Sequence, residues 1–218
     1  MIIENFYFNT TVILLASYLI GSFPSAYIAG KIKGINISKT GSGNIGGINA
    51  FSSIGKIAGI IVALTDAGKG FLVAYLASRF SGGHPYIMLW AVVAAVIGHN
   101  WMIYIGFKGG KGVATFLGSL LYLSPWSILI LCLIILPITL VLTKDTYLAT
   151  TTSFFIFSFF IWLWEGSYLW LIFGLLITIL YLLKCLGLLN SYFTERRRDI
   201  SPIIKKIFKS FFRGIPKN

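Results

Sequence analysis

Two short segments combine glycine with polar or cationic side chains in a pattern suited to holding an anion. Residues 38–50, SKTGSGNIGGINA, set Gly41, Gly43, Gly46 and Gly47 around Ser42, Asn44 and Asn49. Glycine permits backbone conformations in which successive amides converge into an anion-binding nest. The same composition also fits a plain flexible loop. Residues 106–112, GFKGGKG, place Lys108 and Lys111 among Gly106, Gly109, Gly110 and Gly112. Two ammonium groups on a glycine loop form a phosphate clamp, because cations and free amides can meet on one anion. No Gly-Lys-Ser/Thr ends the segment, so it is not a Walker A loop. A simple basic turn would account for the lysines and leave the glycines unexplained.

The first segment also reads GxGxxG, with Asp66 at the distance where a dinucleotide fingerprint places its acidic residue. That reading needs a strand, a turn and a helix to present the pyrophosphate, and the surrounding sequence supplies only apolar helical runs. Asp66 lies inside one such run with Lys69 three positions on, so the two can face each other on a helix. Ionisable groups within a membrane span are functional candidates by default, and a buried structural ion pair is the competing reading. His99 precedes the lysine-glycine loop and is a candidate proton acceptor or loop-orienting group; a helix-packing histidine is the alternative. Neither His84 nor His99 has an acidic residue within four positions, so a sequence-local histidine-aspartate catalytic pair is missing.

The elements that must position these residues are membrane spans. Hydrophobic residues make up 57% of the 218 positions and charged residues 11%, a balance foreign to water-soluble domains. A spanning helix needs about 20 apolar residues, and the bilayer interior admits only structures that satisfy their own backbone. Apolar runs predict helices at 11–30, 54–78, 86–106, 113–142, 147–164 and 167–189. The fourth is too long for one span and contains Leu123-Ser124-Pro125-Trp126, a turn signal, so the expected fold is all-α with about seven transmembrane helices. Residues 113–123 are short for a crossing and can be tilted, extended or re-entrant.

Charge supports that count. The net charge is +12, and the basic residues cluster between and after the apolar runs, which points to membrane topology and anionic headgroups rather than nucleic acid. With seven spans and an external N-terminus, 16 of the 18 lysines and arginines fall on the cytoplasmic side, together with both glycine-rich loops. The expected organisation is a transmembrane domain over 1–190 and a basic cytoplasmic tail over 191–218. In the tail, Ile203, Ile204, Ile207, Phe208, Phe211 and Phe212 recur near helical spacing with lysines between them, an interfacial amphipathic helix. Cys132 and Cys185 lie apart in apolar runs and suggest neither a disulfide nor a metal site. The N-terminal run lacks a basic flank and a cleavage site, so no cleaved signal peptide is expected.

GSFPSAYIAG, SKTGSGNIGGINA, LTDAGKG and IGHNWMIYIGFKGGKGVAT, in that order and spacing, resemble the membrane-embedded acyl-phosphate:glycerol-3-phosphate acyltransferases. The resemblance covers residues 20–118 well and the remainder by hydropathy. It implies transfer of an acyl group from acyl phosphate to the 1-hydroxyl of glycerol 3-phosphate, giving lysophosphatidic acid, with membrane lipids around it and no metal or organic cofactor. On this reading Ser42, Lys111 and His99 are the catalytic candidates. Gly41, Gly43, Asn44, Asn49, Lys108, Gly109 and Gly110 bind substrate phosphate. The chain departs from the family pattern at Gly47-Ile48-Asn49, where Ala-Thr-Asn is usual, at Ser52 for an arginine and at Met102 for a proline. No histidine follows His99; on this resemblance the stretch Arg196-Arg197-Arg198-Asp199-Ile200 is the candidate for the place of the family's C-terminal histidine and asparagine motif. A transferase with another donor or acceptor, and a non-catalytic or transport protein binding a phosphorylated lipid, are the alternatives.

Overall fold

The computed structural model describes residues 2–186; the tail, its expected amphipathic helix and the arginine triplet lie outside them. The described residues form ten α-helices. In chain order these are α1 Ile2–Gly21, α2 Ser25–Ile32, α3 Gly47–Ser53, α4 Lys56–Phe80, α5 Pro85–Asn100, α6 Val113–Leu123, α7 Pro125–Ile130, α8 Leu136–Thr143, α9 Thr146–Glu165 and α10 Tyr168–Leu186. Among these residues the only β pairing is a single antiparallel bridge between Met102 and Lys108.

Among the described residues five segments are long and apolar enough to cross a membrane: Phe6–Ile32, Lys56–Phe80, Pro125–Thr143, Thr146–Glu165 and Tyr168–Leu186; α5 and α6 are shorter apolar helices. The chain is a multi-pass membrane protein. The run expected as one helix over 11–30 is instead two, because Pro24 cannot continue the amide ladder and the backbone turns at Ser22–Pro24. The expected helix over 86–106 stops at Asn100. The predicted break before Pro125 is present, with Ser124 closing α6 and Pro125 opening α7. Between α7 and α8 the helix widens into a π turn at Leu131–Ile135, just ahead of Pro137, whose missing amide disturbs the ladder there.

Helix packing rests on small residues. In lipid no hydrophobic gain separates helix contact from tail contact, so close van der Waals approach drives association. A side chain at Gly70 would strike the Thr115 backbone, and one at Gly118 would strike Ala67; these fix α4 on α6. Gly21 against Ala95 and Gly98 against Tyr18 fix α1 on α5. The stripe Gly59, Ala63 and Ala67 on α4 is a packing surface, since Gly59 lies on Phe51 and Ala63 on Gly47. That contact helps explain why α3 forms in a glycine-rich stretch of poor helix propensity. Phe116 of α6 sits among Phe154, Phe157 and Phe173, with ring centroids 5.2, 6.1 and 5.9 Å away, joining α6 to α9 and α10. Thr139 and Ser153 hydrogen-bond at 2.6 Å between α8 and α9.

Candidate active site

Asp66, Lys69 and His99 come together in the interior, with 1%, 5% and 3% of their surfaces exposed. One turn of α4 separates Asp66 from Lys69, and the ammonium reaches the carboxylate at 2.9 Å. Ser25, at the start of α2, donates its hydroxyl to the same Asp66 oxygen at 2.8 Å. His99 Nδ1 lies 3.6 Å from that oxygen. Lys69 also donates to the Phe23 carbonyl at 3.2 Å. A buried ammonium and carboxylate persist only when paired and hydrogen-bonded, and here the helix break at Pro24 supplies both Ser25 and a free carbonyl.

The lysine-glycine loop returns over this cluster. Gly110 N–H donates to the His99 carbonyl at 3.0 Å, and Met102 N–H donates to the Lys108 carbonyl at 3.1 Å. Gly106 and Phe107 adopt left-handed conformations, φ 68° and 58°, to make that reversal. The end of α5 leaves carbonyls without helical partners, and the fold supplies others. Gly110 N–H takes His99, Lys184 Nζ takes Asn100 at 2.6 Å, and the Tyr18 hydroxyl takes Trp101 at 2.8 Å. These bonds satisfy the carbonyls left where α5 ends.

Gly110 decides how the two loops meet. A Cβ there would collide with His99 Nε2 and approach the Ile45 carbonyl at 2.8 Å, so the loop holding Lys111 touches both His99 and the loop holding Ser42. Ile45 is buried with Ala26, Ile37, Ala50 and Val62, and Ile105 packs against that cluster. Only a residue without a side chain fits between the loops.

Asn49 shapes the first loop. Its Nδ2 donates to the carbonyls of Ile37, Thr40 and Asn44 at 3.1, 3.0 and 2.9 Å. Its Oδ1 accepts from Ser42 N–H at 3.2 Å and from the Ser53 hydroxyl at 3.1 Å. The amide expected to touch phosphate is therefore engaged with the loop itself. Gly41 and Gly43 take φ of 61° and 68°, the left-handed region that a nest requires. Ser42 is exposed, while the Asn44 Oδ1 is buried without a hydrogen-bond partner. Lys108 is exposed and Lys111 half-buried; the Lys111 ammonium lies 3.8 Å from the centre of the Tyr147 ring. Gly109 packs on the His99 and Asn100 carbonyls.

The profile of the glycerol-3-phosphate acyltransferase family matches residues 11–190. A glycerol-3-phosphate acyltransferase of Thermotoga petrophila is 37% identical over 190 residues, covering 85% of this chain and 95% of that protein. The chain belongs to the glycerol-3-phosphate acyltransferase family. A member from Chlorobaculum tepidum is 45% identical over 128 residues, 54% of this chain and 55% of the relative. Glycerol-3-phosphate acyltransferase 2 of Moorella thermoacetica is 42% identical over 122 residues. The chain thus spans 55% and 62% of those two relatives. Crystal structures of PlsY (YgiH), an integral membrane glycerol 3-phosphate acyltransferase, superpose well. Its glycerol 3-phosphate form gives a TM-score of 0.75 at 29% identity, over 86% of this chain and 93% of that one. Its lysophosphatidic acid form gives 0.73 at 30% identity.

Within this acyltransferase-family fold, Tyr18, Lys184 and Tyr147 reach the site from α1, α10 and α9 without belonging to any quoted motif. Ser25 lies in GSFPSAYIAG, and its bond to Asp66 joins α2 to α4. Lys184 carries one signal, a cation at the end of an apolar run. The absence of an acidic residue near His99 in sequence is overturned in space, since Asp66 on α4 stands beside it.

Proposed function

We propose that the protein transfers an acyl group from acyl phosphate to the 1-hydroxyl of glycerol 3-phosphate, making lysophosphatidic acid and releasing phosphate. The observation that carries this reading is the meeting of the two glycine-rich loops at Gly110 and Ile45, with Gly110 also set against His99 of the buried Asp66–Lys69–His99 cluster. Both substrates are phosphorylated, and two converging loops suit them. In the reaction the hydroxyl oxygen bonds to the acyl carbon as the anhydride C–O bond breaks. Phosphate departs with the electron pair, and the hydroxyl proton passes to a base. Acyl phosphate carries a good leaving group, so positioning and charge stabilisation do most of the work. His99, closed in by Gly110 and facing Asp66, is placed to orient the lysine loop.

An apolar groove between α1 and α4 supports an acyl donor. One hollow there, of about 620 Å³, is lined by Ile20, Phe23, Gly68 and Leu72 and reaches Lys69. A second, of about 340 Å³, shares Ile20 with it and is lined by Phe8 and Phe80. From Lys69 to Phe80 the helix rises about 16 Å at 1.5 Å per residue, a length that suits a fatty acyl chain. In the membrane we place the N-terminus outside and both loops and the basic tail in the cytoplasm, with seven crossings that include α5 and α6. The basic residues flanking the loops support that orientation.

The deciding experiment incubates purified protein with acyl phosphate and labelled glycerol 3-phosphate. Labelled lysophosphatidic acid is the expected product. Its absence, under conditions where a characterised relative turns over, removes the proposal.

A further inference from the structure

We propose that Tyr147 is a positioning residue for Lys111, holding its ammonium in place without neutralising it. This rests on the transfer reaction proposed above. Lys111 sits between Gly110 and Gly112, neither of which offers a side chain to restrain its stem. A lysine stem has four flexible carbons and samples many rotamers, so something outside the loop must fix the charge. The Tyr147 ring does so, with the Lys111 Nζ 3.8 Å from its centre. Among the described residues Lys111 makes no ion pair.

The choice of an aromatic ring has a chemical consequence. A carboxylate at the same place would cancel the charge and occupy the ammonium's donors. A ring face attracts a cation through its quadrupole and leaves the net charge, and the donors turned away from it, for a phosphate oxygen. The carboxylate nearest Tyr147 in sequence is turned elsewhere, since Asp145 Oδ1 caps α9 by accepting from Leu148 N–H at 2.8 Å. The first turn of α9 therefore presents a π face, and not an anion, to the lysine loop. Tyr147 is also remote in sequence from every glycine-rich motif, so it links the loop to a hairpin that otherwise contributes nothing to the site.

The test uses the full-length protein in detergent with its lysines reductively methylated with carbon-13, a change that preserves charge. The Lys111 methyl signal is assigned by its loss in Lys111→Arg. In the unsubstituted protein its protons are expected upfield through the ring current, and inorganic phosphate is expected to shift them. Tyr147→Leu is expected to abolish the upfield shift, raise the phosphate midpoint and lower kcat with acyl phosphate, each by about 5- to 30-fold, the range of a partly desolvated cation–π contact. Tyr147→Phe keeps the ring and is expected to rescue both readouts to within about twofold. An ordinary methyl shift in the unsubstituted protein, or wild-type phosphate midpoint and kcat in Tyr147→Leu, overturns the proposal. Absence of turnover in the unsubstituted protein defeats the transfer reading instead, and the phosphate titration then decides the role of Tyr147 by itself.

Discussion

His99 Nδ1 lies 3.6 Å from Asp66 Oδ1, while the other edge of the same imidazole faces Gly110. One ring thus connects the buried ion pair on α4 to the loop that carries Lys111. Changes at Asp66 are therefore expected to reach the loop through His99.

Asp66→Asn keeps the shape of the side chain and removes its charge, leaving the buried Lys69 ammonium without a counter-ion. Breaking a buried pair costs about 3–5 kcal/mol. The variant is expected to unfold at a markedly lower temperature in detergent and to lose turnover. A thermal midpoint and rate equal to those of the parent would show that Asp66 is hydrated and that the cluster does not support the loop.

Lys111→Met is expected to lower the rate by about 100- to 1,000-fold while the protein remains folded, because a fixed cation favours the departing phosphate more in the transition state than in the ground state. Lys108, which is exposed, should matter less. Initial rates at saturating acyl phosphate separate the effects, since lost ground-state affinity is recovered there. Full recovery for Lys111→Met would reduce it to a binding residue.

Gly110→Ala puts a methyl group against His99 Nε2 and the Ile45 carbonyl. One of the two loops must then move, and a displacement of about 1 Å at an active site can cost on the order of 100-fold in rate. The expected outcome is severe loss of kcat with near-normal expression. Activity close to the parent's would mean that contact between the loops is dispensable.

Gly68→Leu tests the acyl groove. Nothing lies within 4 Å of a Cβ at this position, so the fold accepts the larger side chain, which enters the groove beside Lys69. Long-chain acyl phosphates should become worse substrates than short ones relative to the parent, by about tenfold, equivalent to roughly 1.4 kcal/mol. Equal changes for all chain lengths would place the acyl group elsewhere.

Lys39→Cys and Lys108→Cys, both at exposed positions, should react with an impermeant maleimide only when the cytoplasmic face is open. Gly109 is unsuitable for such a probe because any side chain there meets the His99 and Asn100 carbonyls. Labelling of either cysteine in intact cells would invert the proposed orientation.

Local pattern made parts of this arrangement legible. The i, i+3 spacing of Asp66 and Lys69 pointed to their ion pair, and Ser124-Pro125 marked the break in an overlong apolar run. Pro24 carries the same signal, but its neighbours are so apolar that hydropathy favoured one continuous helix. The helix at Gly47–Ser53 was hidden for the opposite reason: its propensity is poor and its packing on α4 is tertiary. Asn49 looked like a ligand because it lies in a glycine-rich loop, and only the fold shows its amide turned inward to five loop partners. The contacts of His99 with Asp66, Lys184 with Asn100 and Tyr147 with Lys111 join different helices. No periodicity within one helix encodes them.

The carbonyl of Phe23 accepts the Lys69 ammonium, and Phe23 also lines the groove proposed to take the acyl chain. Because the acceptor is main chain, the charge balance of the cluster is indifferent to which amino acid occupies position 23, provided that the turn before Pro24 is kept. On the proposed acyl-donor reading, a substitution at position 23 reshapes the groove while the main-chain acceptor of the charged cluster stays in place.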